Sequence, residues 1–542
     1  MISNRIRTLY IKSPTPQWMD IAGDLQIRYR FDPVLWVSGT HTHHEACLER
    51  FPDTRFFDHF EALRGKTPIP AGTHTLTVDS EFLKRNAHHE NIFTNMMDRW
   101  CGNPEKISIE KRRCFYIDMA NSWMTLYDTL KIESVIIPTI PHRLYDYMAY
   151  IVAQDQGIPF LAIEQTNELL FQESGERNNI FYVLQTLENR SDIITKNLRE
   201  DRTPSPALQR YIETFDADYN AAQPLYFKTK NLKKSTPQEK LKACLKNIPL
   251  AVRLPLQVLR AAANHKTFHT RKLTFPYQTK TGQEPVRYQT LLSALIEHDC
   301  VQKNARAARA YYEAHSTTDP DLTQNYIYFA PSFQPERTST PDAGLCQWVE
   351  LMIEMLNASI PPDWNIFYKE HPSNFREPIR PDNNRTVALY QRLQHLAPRI
   401  TFLPTGLDPF PLMASAKAVA TSTGTSAWQA ATRGTPAMAF GEAWFSASPD
   451  IGHIKSLSDC KAFIAKIQSG WKPDRNRLIQ YLCALETLGG AYDWARAHKP
   501  YEITATQKHP YKTSVQDLSD DLYRVYCALT AQDGILTQKV HA

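Results

Sequence analysis

A chain of 542 residues with 62 Lys and Arg against 57 Asp and Glu has a formal net charge of +5, too small by itself to imply a nucleic-acid partner. Its 42% hydrophobic content and mean hydropathy of −0.45 describe a globular protein too long for one ordinary core, so two domains with additions are expected. Nine cysteines, an odd number without CxxC pairs, argue against a disulfide framework and for reduced, mostly buried thiols.

At the N-terminus, residues 1–7 carry charge with no apolar stretch behind it, so no secretory signal is expected. The longest apolar stretch, 248–263, is interrupted by Arg253, Pro255 and Arg260, so no transmembrane helix is expected either. These readings point to a cytoplasmic protein, with peripheral contact at a membrane surface as an option.

Short apolar runs at 34–37, 114–117, 134–137 and 159–163 read as buried parallel strands. Between the last two, 145–156 has helix length, with Tyr147, Ile151 and Val152 on one face and Gly157 placed to end it. Strand, helix, strand at this spacing is a βαβ unit of a doubly wound sheet. The pattern then weakens. Segment 228–280 is rich in Lys and Arg against one acid, Glu239, and its positive excess is larger than the +5 of the whole chain. It reads as a solvated helical insertion, or as a basic amphipathic stretch resting on anionic lipid, where each cation is worth ~1 kcal/mol.

A second α/β unit follows, with strands at 326–329, 365–368, 400–403, 418–421 and 437–440. Helices are predicted at 346–357, 387–396, 408–415 and 427–433. The tail reads helical: 458–467 capped by Ser458, then 475–488 and 518–529. Four regions result. Residues 1–171 form an N-terminal Rossmann-like domain, and 172–320 a mostly helical basic insertion. Residues 321–457 form a C-terminal Rossmann-like domain, and 458–542 are helices packing back. The fold class is α/β, two Rossmann-like domains facing a cleft in the GT-B manner. Open α/β sheets bind ligands at the carboxyl ends of their strands, which places the loops below at that cleft.

Two of those loops can hold phosphate. After the strand at 365–368 comes Lys369-Glu370-His371-Pro372, where His371 can donate a hydrogen bond to a phosphate oxygen. After 418–421 comes Ser422-Thr423-Gly424-Thr425-Ser426. There Gly424 permits a positive φ and close approach, Thr423, Thr425 and Ser426 supply hydroxyls, and one of them can cap the helix that follows. This loop lacks a P-loop lysine, which disfavours ATP hydrolysis. The loop after 326–329 holds Gln334, Glu336, Arg337, Thr338 and Ser339; Glu336 can bind a sugar hydroxyl, act in acid/base work, or simply pair with Arg337. On the N-terminal side, Glu164 ends a strand, and His142 and Asp146 stand four apart at a helix start, positions suited to general-base chemistry. His41, His43, His44 and Glu45 lack a second ligand group at zinc spacing, so no metal or other cofactor is expected.

Taken in order, Gln334-Pro335-Glu336, Lys369-Glu370-His371-Pro372, Thr423-Gly424-Thr425 with Trp428 and Ala430, and Phe440-Gly441-Glu442-Ala443-Trp444 resemble the bacterial capsule polysaccharide biosynthesis family. That family is a set of GT-B proteins that includes the Kdo (3-deoxy-D-manno-octulosonic acid) transferases. The match is best over about 324–452, and Glu164 looks like the acidic residue those proteins place in their N-terminal domain. The resemblance implies a metal-independent glycosyltransferase. The His-Pro pair and the Ser/Thr loop would hold the phosphate of a CMP- or other nucleotide-activated sugar. The acceptor would be a growing, lipid-linked glycan at the inner membrane. Kdo transferases of this group have an aspartate a few residues beyond the glutamine; here Thr338 stands at that place. That departure speaks against a retaining mechanism through a covalent aspartate intermediate and against Kdo as the donated sugar; with an inverting displacement, Glu164 or Asp146 would take the acceptor proton. Rival readings are a nucleotide-sugar epimerase or glycerophosphotransferase of the same fold, and a non-catalytic scaffold of an assembly complex.

Overall fold

The computed structural model describes residues 5–11, 14–39, 43–70, 72–100, 107–166, 181–184, 187, 194, 198–199, 201–216, 291–334, 336–375, 385–488 and 511–540. The basic stretch 228–280, His41 and Pro335 lie outside them.

The described residues form two six-stranded sheets. In the first, β1 (Ile6–Ile11), β2 (Phe31–Ser38), β3 (Arg55–Asp58), β4 (Ser134–Ile137), β5 (Phe160–Gln165) and β6 (Phe181–Leu184) stand in the order 3-2-1-4-5-6. All pairs are parallel except β5 with β6. The second contains β7 (Tyr326–Phe329), β8 (Asn365–Lys369), β9 (Ile400–Leu403), β10 (Ala418–Thr421), β11 (Ala437–Ala439) and β12 (Gly452–His453), in the order 12-11-10-7-8-9 and parallel throughout. Each is a doubly wound sheet whose order reverses beside its first strand, at β1/β4 and at β7/β10. Two such sheets with helices on both faces constitute the GT-B plan expected from the sequence.

Alternation along the strands builds the two layers of each unit. Leu9 and Ile11 of β1, Val135 and Ile137 of β4, and Phe160 and Ala162 of β5 enter one apolar cluster. Tyr10, Ile136, Leu161 and Ile163 between them enter another. In the second sheet Tyr326, Tyr328 and Val419 face one way, and Ile327, Phe329, Ala418 and Ala420 the other.

The central strand β1 begins inside the segment read only for targeting signals, so its role went unpredicted. The run 114–117, read as a strand, lies within a helix, Ile109–Leu130, that buries Phe115, Tyr116, Met119, Ala120, Trp123, Leu126, Tyr127 and Leu130. That spacing is helical, and a four-residue apolar run taken alone does not show it. Helix 145–156 is found as Leu144–Asp155, and Gly157 follows its C-cap at φ +67°. The stretch 346–357 is broken: a 3-10 turn over Gly344–Gln347 stops at Trp348, whose extended backbone starts a separate helix, Val349–Asn357. Ser456, not Ser458, caps Leu457–Gln468, accepting the Asp459 N–H at 3.1 Å.

The last described helix, Tyr511–Val540, returns to the first sheet. Leu518, Leu522 and Val525, spaced to share one helix face, are buried with Tyr10, Trp18 and Ile21, at about 2 kcal/mol for each apolar side chain. Tyr523 stacks on Tyr29 at 4.0 Å between centroids. Segment 201–216 lies against the other tail helix, Arg475–Leu488, through Arg202 N–H to Gln480 Oε1 at 3.0 Å and Arg475 with Asp216 at 2.8 Å. Helix Leu291–Ala314, inside the stretch read as an insertion, contributes Ala308 and Tyr312 to the core of the second sheet. Among the described residues, no helix is long and apolar enough to cross a membrane.

Candidate active site

In the second sheet β7 lies between β8 and β10, so the turns leaving these three strands are neighbours, with the outer two about 10 Å apart at normal strand spacing. The turn after β7 bonds to both. Ser332 Oγ lies 2.5 Å from Ser422 Oγ and 3.3 Å from Thr423 Oγ1. On the other side the Gln334 N–H donates to Asn374 Oδ1 at 3.0 Å, and the Phe333 ring stands 5.7 Å from that of His371.

A buried carboxylate organises the β8 side. Glu370, fully buried, accepts hydrogen bonds from Arg385 Nε at 2.6 Å, Asn374 Nδ2 at 2.6 Å, the His371 N–H at 2.8 Å, and the hydroxyls of Tyr368 at 2.9 Å and Tyr390 at 3.1 Å. Arg385 reaches on to Gln334 Oε1 at 2.5 Å and to the Ser332 carbonyl at 3.4 Å. Glu370 thus fixes the turn around His371 and, through Arg385, ties it to the β7 loop. The Gln334 side chain, expected to bind nucleotide, is held between Arg385 and the Gln347 carbonyl, to which its Nε2 donates at 2.7 Å.

Two of the expected hydroxyls are turned inward. Ser422 bonds Ser332, and Thr423 Oγ1 donates to the Thr338 carbonyl at 2.7 Å. Ser426 Oγ is buried and meets no partner among the described residues, and Thr425 is half-buried beside it. No side chain caps the following helix, Ser426–Ala431, because its N-cap residue, Thr425, has helical backbone angles. Gly424 is absent from the positive-φ residues. Its requirement is space: a Cβ there would meet Thr421 Oγ1 at 2.6 Å, the atom that accepts the Gly424 N–H. His371 Nδ1 accepts the Ser373 N–H at 3.1 Å, which places the proton of the neutral ring on Nε2, a donor suited to phosphate oxygen. Lys369, only 7% exposed at the end of β8, is lowered to about 8 by burial, with Asp408 and Glu370 opposing the fall.

The first sheet meets this edge through β5. Glu164, 2% exposed, has its Oε1 3.7 Å from Arg337 Nη1, and Arg337 Nε lies 3.4 Å from Asp342 Oδ2. Arg337 therefore turns to Glu164 and Asp342; its expected neighbour Glu336 is exposed and accepts the Thr338 hydroxyl at 3.1 Å. His142 follows β4. Its Nδ1 lies 2.7 Å from the Ile140 carbonyl, so Nδ1 carries the proton and Nε2 the lone pair. Burial, then the Arg99 guanidinium, hold His142 well below the usual imidazole range. Asp146 is occupied locally: Oδ1 accepts the Arg143 N–H at 2.6 Å at the start of its helix.

Glu164, Arg337 and Asp342 come together between the sheets, and Arg337 is close enough to act on the titration of His142. Ser332, Asn374, Asp342, Arg99 and Arg385 were not expected. Arg385 follows Glu370 by 15 residues, a separation with no local periodicity to mark it. Of the His41–Glu45 group, His44 stacks on Phe56 at 4.0 Å. Among the described residues, no group of three or more His, Cys, Asp or Glu could hold a metal ion.

Sequence comparison finds no matching family model and no matching curated protein. Solved structures do match. They include the UDP-GlcNAc 2-epimerase of Neisseria meningitidis bound to UDP-GlcNAc, with 10% identity, 96% of this chain and 99% of that chain covered, and TM-score 0.20. The beta Kdo 2,7 transferase KpsC of Thermosulfurimonas dismutans matches at 9% identity over 67% of this chain and 89% of that one, TM-score 0.25. Anabaena Alr3699/HepE in complex with UDP and glucose matches at 10% identity over 90% and 96%, TM-score 0.22. At superpositions this loose, the functional reading rests on this chain's own residues.

Proposed function

We propose that this chain is a metal-independent glycosyltransferase of bacterial surface polysaccharide assembly, moving a sugar from a nucleotide-activated donor to a hydroxyl of a glycan acceptor. One observation carries the reading: the turns after β7, β8 and β10 are bonded into a single surface around Ser332, and that surface faces the Glu164 carboxylate across the cleft through Arg337. The order of the four motifs shared with the capsule biosynthesis family supports it independently.

In this mechanism His371 Nε2–H, the Ser426 and Thr425 hydroxyls and the nearby backbone N–H groups hold the donor's phosphate. His371, already held through Nδ1, stabilises the charge that develops as the sugar–phosphate bond breaks with little reorganisation. The acceptor oxygen forms the new bond to the anomeric carbon, and the electron pair of the broken bond leaves on the phosphate. Glu164 takes the acceptor proton, while neutral His142, its lone pair on Nε2, accepts a hydrogen bond from a neighbouring hydroxyl of the acceptor sugar and so orients it. Attack opposite the leaving group inverts the anomeric centre.

Thermal unfolding with CMP, CDP, UDP and GDP tests the donor side. One nucleotide should stabilise the protein, by ~2.7 kcal/mol at a hundredfold excess over its Kd. Product analysis with the matching sugar nucleotide then separates transfer from epimerisation. No stabilisation by any nucleotide would favour the scaffold reading instead.

A further inference from the structure

On the acceptor side of the cleft, helix Ala87–Trp100 faces the loop after β7 across a small pocket that opens to solvent. Neither His371 nor the 422–426 loop lines it; Arg99, Glu336, Thr340, Gln347 and Trp348 do. Gln347 is 8% exposed. Its Oε1 accepts the Thr340 hydroxyl at 2.9 Å, but its Nε2 is buried and meets no acceptor among the described residues. A buried amide N–H without an acceptor costs free energy, and a ligand oxygen in the pocket would remove that cost. Trp348 is 46% exposed beside it, an aromatic face large enough for a sugar ring to rest on.

The charges distinguish among ligands. Arg99 donates through Nη1 to the Thr340 carbonyl at 3.4 Å. Asp146, Glu336 and Asp342 act on it from one side of the balance and Arg143 from the other. Asp98, also in the wall, is paired with Arg112 at 2.8 Å. Three carboxylates thus offset the guanidinium's charge from a distance, which disfavours an anion here. A ring carrying hydroxyls fits better: one oxygen can accept from the Gln347 amide and one hydroxyl can donate to Glu336.

We infer that this pocket binds a neutral sugar unit of the acceptor glycan, stacked on Trp348 and hydrogen-bonded by Gln347 and Glu336. Calling the sugar an acceptor unit rests on the transferase reading; its binding does not. Saturation-transfer NMR on the full chain tests it with methyl glycosides of glucose, galactose, mannose, N-acetylglucosamine and N-acetylgalactosamine, and with glucuronate as the charged control. At least one neutral glycoside should receive saturation. The signal should fall about fivefold in Trp348→Ala, the scale of an aromatic contact, and fall also in Gln347→Met, while the nucleotide response stays unchanged. The inference is overturned if no neutral glycoside binds, if both variants bind as well as the original chain, or if glucuronate binds best. Glycoside binding without a nucleotide response would remove the donor reading alone, and the reverse result would remove this pocket alone.

Discussion

Arg337 Nη1 stands 3.7 Å from Glu164 Oε1, an ion pair between the loop after β7 and strand β5 that joins the edges of the two sheets. The same guanidinium reaches Asp342, so it lies between two buried carboxylates. If Glu164 removes the acceptor proton, Glu164→Gln keeps the shape of the site and removes the base. Turnover should then fall by 10² or more, on the scale of a lost general base, with nucleotide Kd nearly unchanged. Full turnover with an unaltered pH profile would reject the assignment.

Glu370 and Arg385 form a pair of another kind, enclosed within the second unit. Arg385→Met leaves a carboxylate buried without its cation, which should cost ~3–5 kcal/mol in urea unfolding. Because Arg385 also carries Gln334 and Ser332, nucleotide affinity should fall with stability. Retained affinity would show that the phosphate-side turns do not depend on this pair.

The sequence made the sheets of this protein legible, but much less of its connective chemistry. Strands such as 326–329 and 418–421 were found at their observed limits because each is a short apolar run between turn residues. The polar turns holding His371 and Gly424 were legible as turns, because each follows a short apolar strand. Arg385, Asn374 and Ser332 were not, since their roles depend on groups distant in sequence that only folding brings near. The Thr423 hydroxyl was misassigned for the same reason: its acceptor, the Thr338 carbonyl, is 85 residues away.

Lys369 offers a test of both stability and binding. Its folded pKa of about 8 lies below the ordinary lysine value of 10.5, so between those values the unfolded chain binds more protons and stability rises with pH. Below pH 8 the cost of burying the cation is fully present, at most about 3 kcal/mol. Lys369→Met should therefore raise stability at pH 7 and lose that advantage above pH 10. If the cation serves the phosphate, nucleotide binding should weaken in the same variant. Unfolding free energies measured across pH, with nucleotide titrations, check both parts.

Acid should destabilise the first unit. Burial, followed by the Arg143 charge, lowers His59 to about 4, and His142 is also held low. Between pH 6.5 and 4 the unfolded chain takes up protons that folded His59 refuses, so stability falls as pH falls through that window. The melting temperature should drop from pH 7 to pH 5, and His59→Gln should reduce the drop. An equal drop in the variant would place the acid sensitivity elsewhere.

The central claim is that the turns at His371 and Gly424 act together on one anionic leaving group. The most direct measurement is a crystal structure with the nucleotide that gives the largest thermal shift. A phosphate of that nucleotide should lie within hydrogen-bond distance of His371 Nε2 and of the Thr425 or Ser426 hydroxyl, in the cleft facing Glu164. A nucleotide bound away from both turns, or contacting one of them from outside the cleft, would contradict the account.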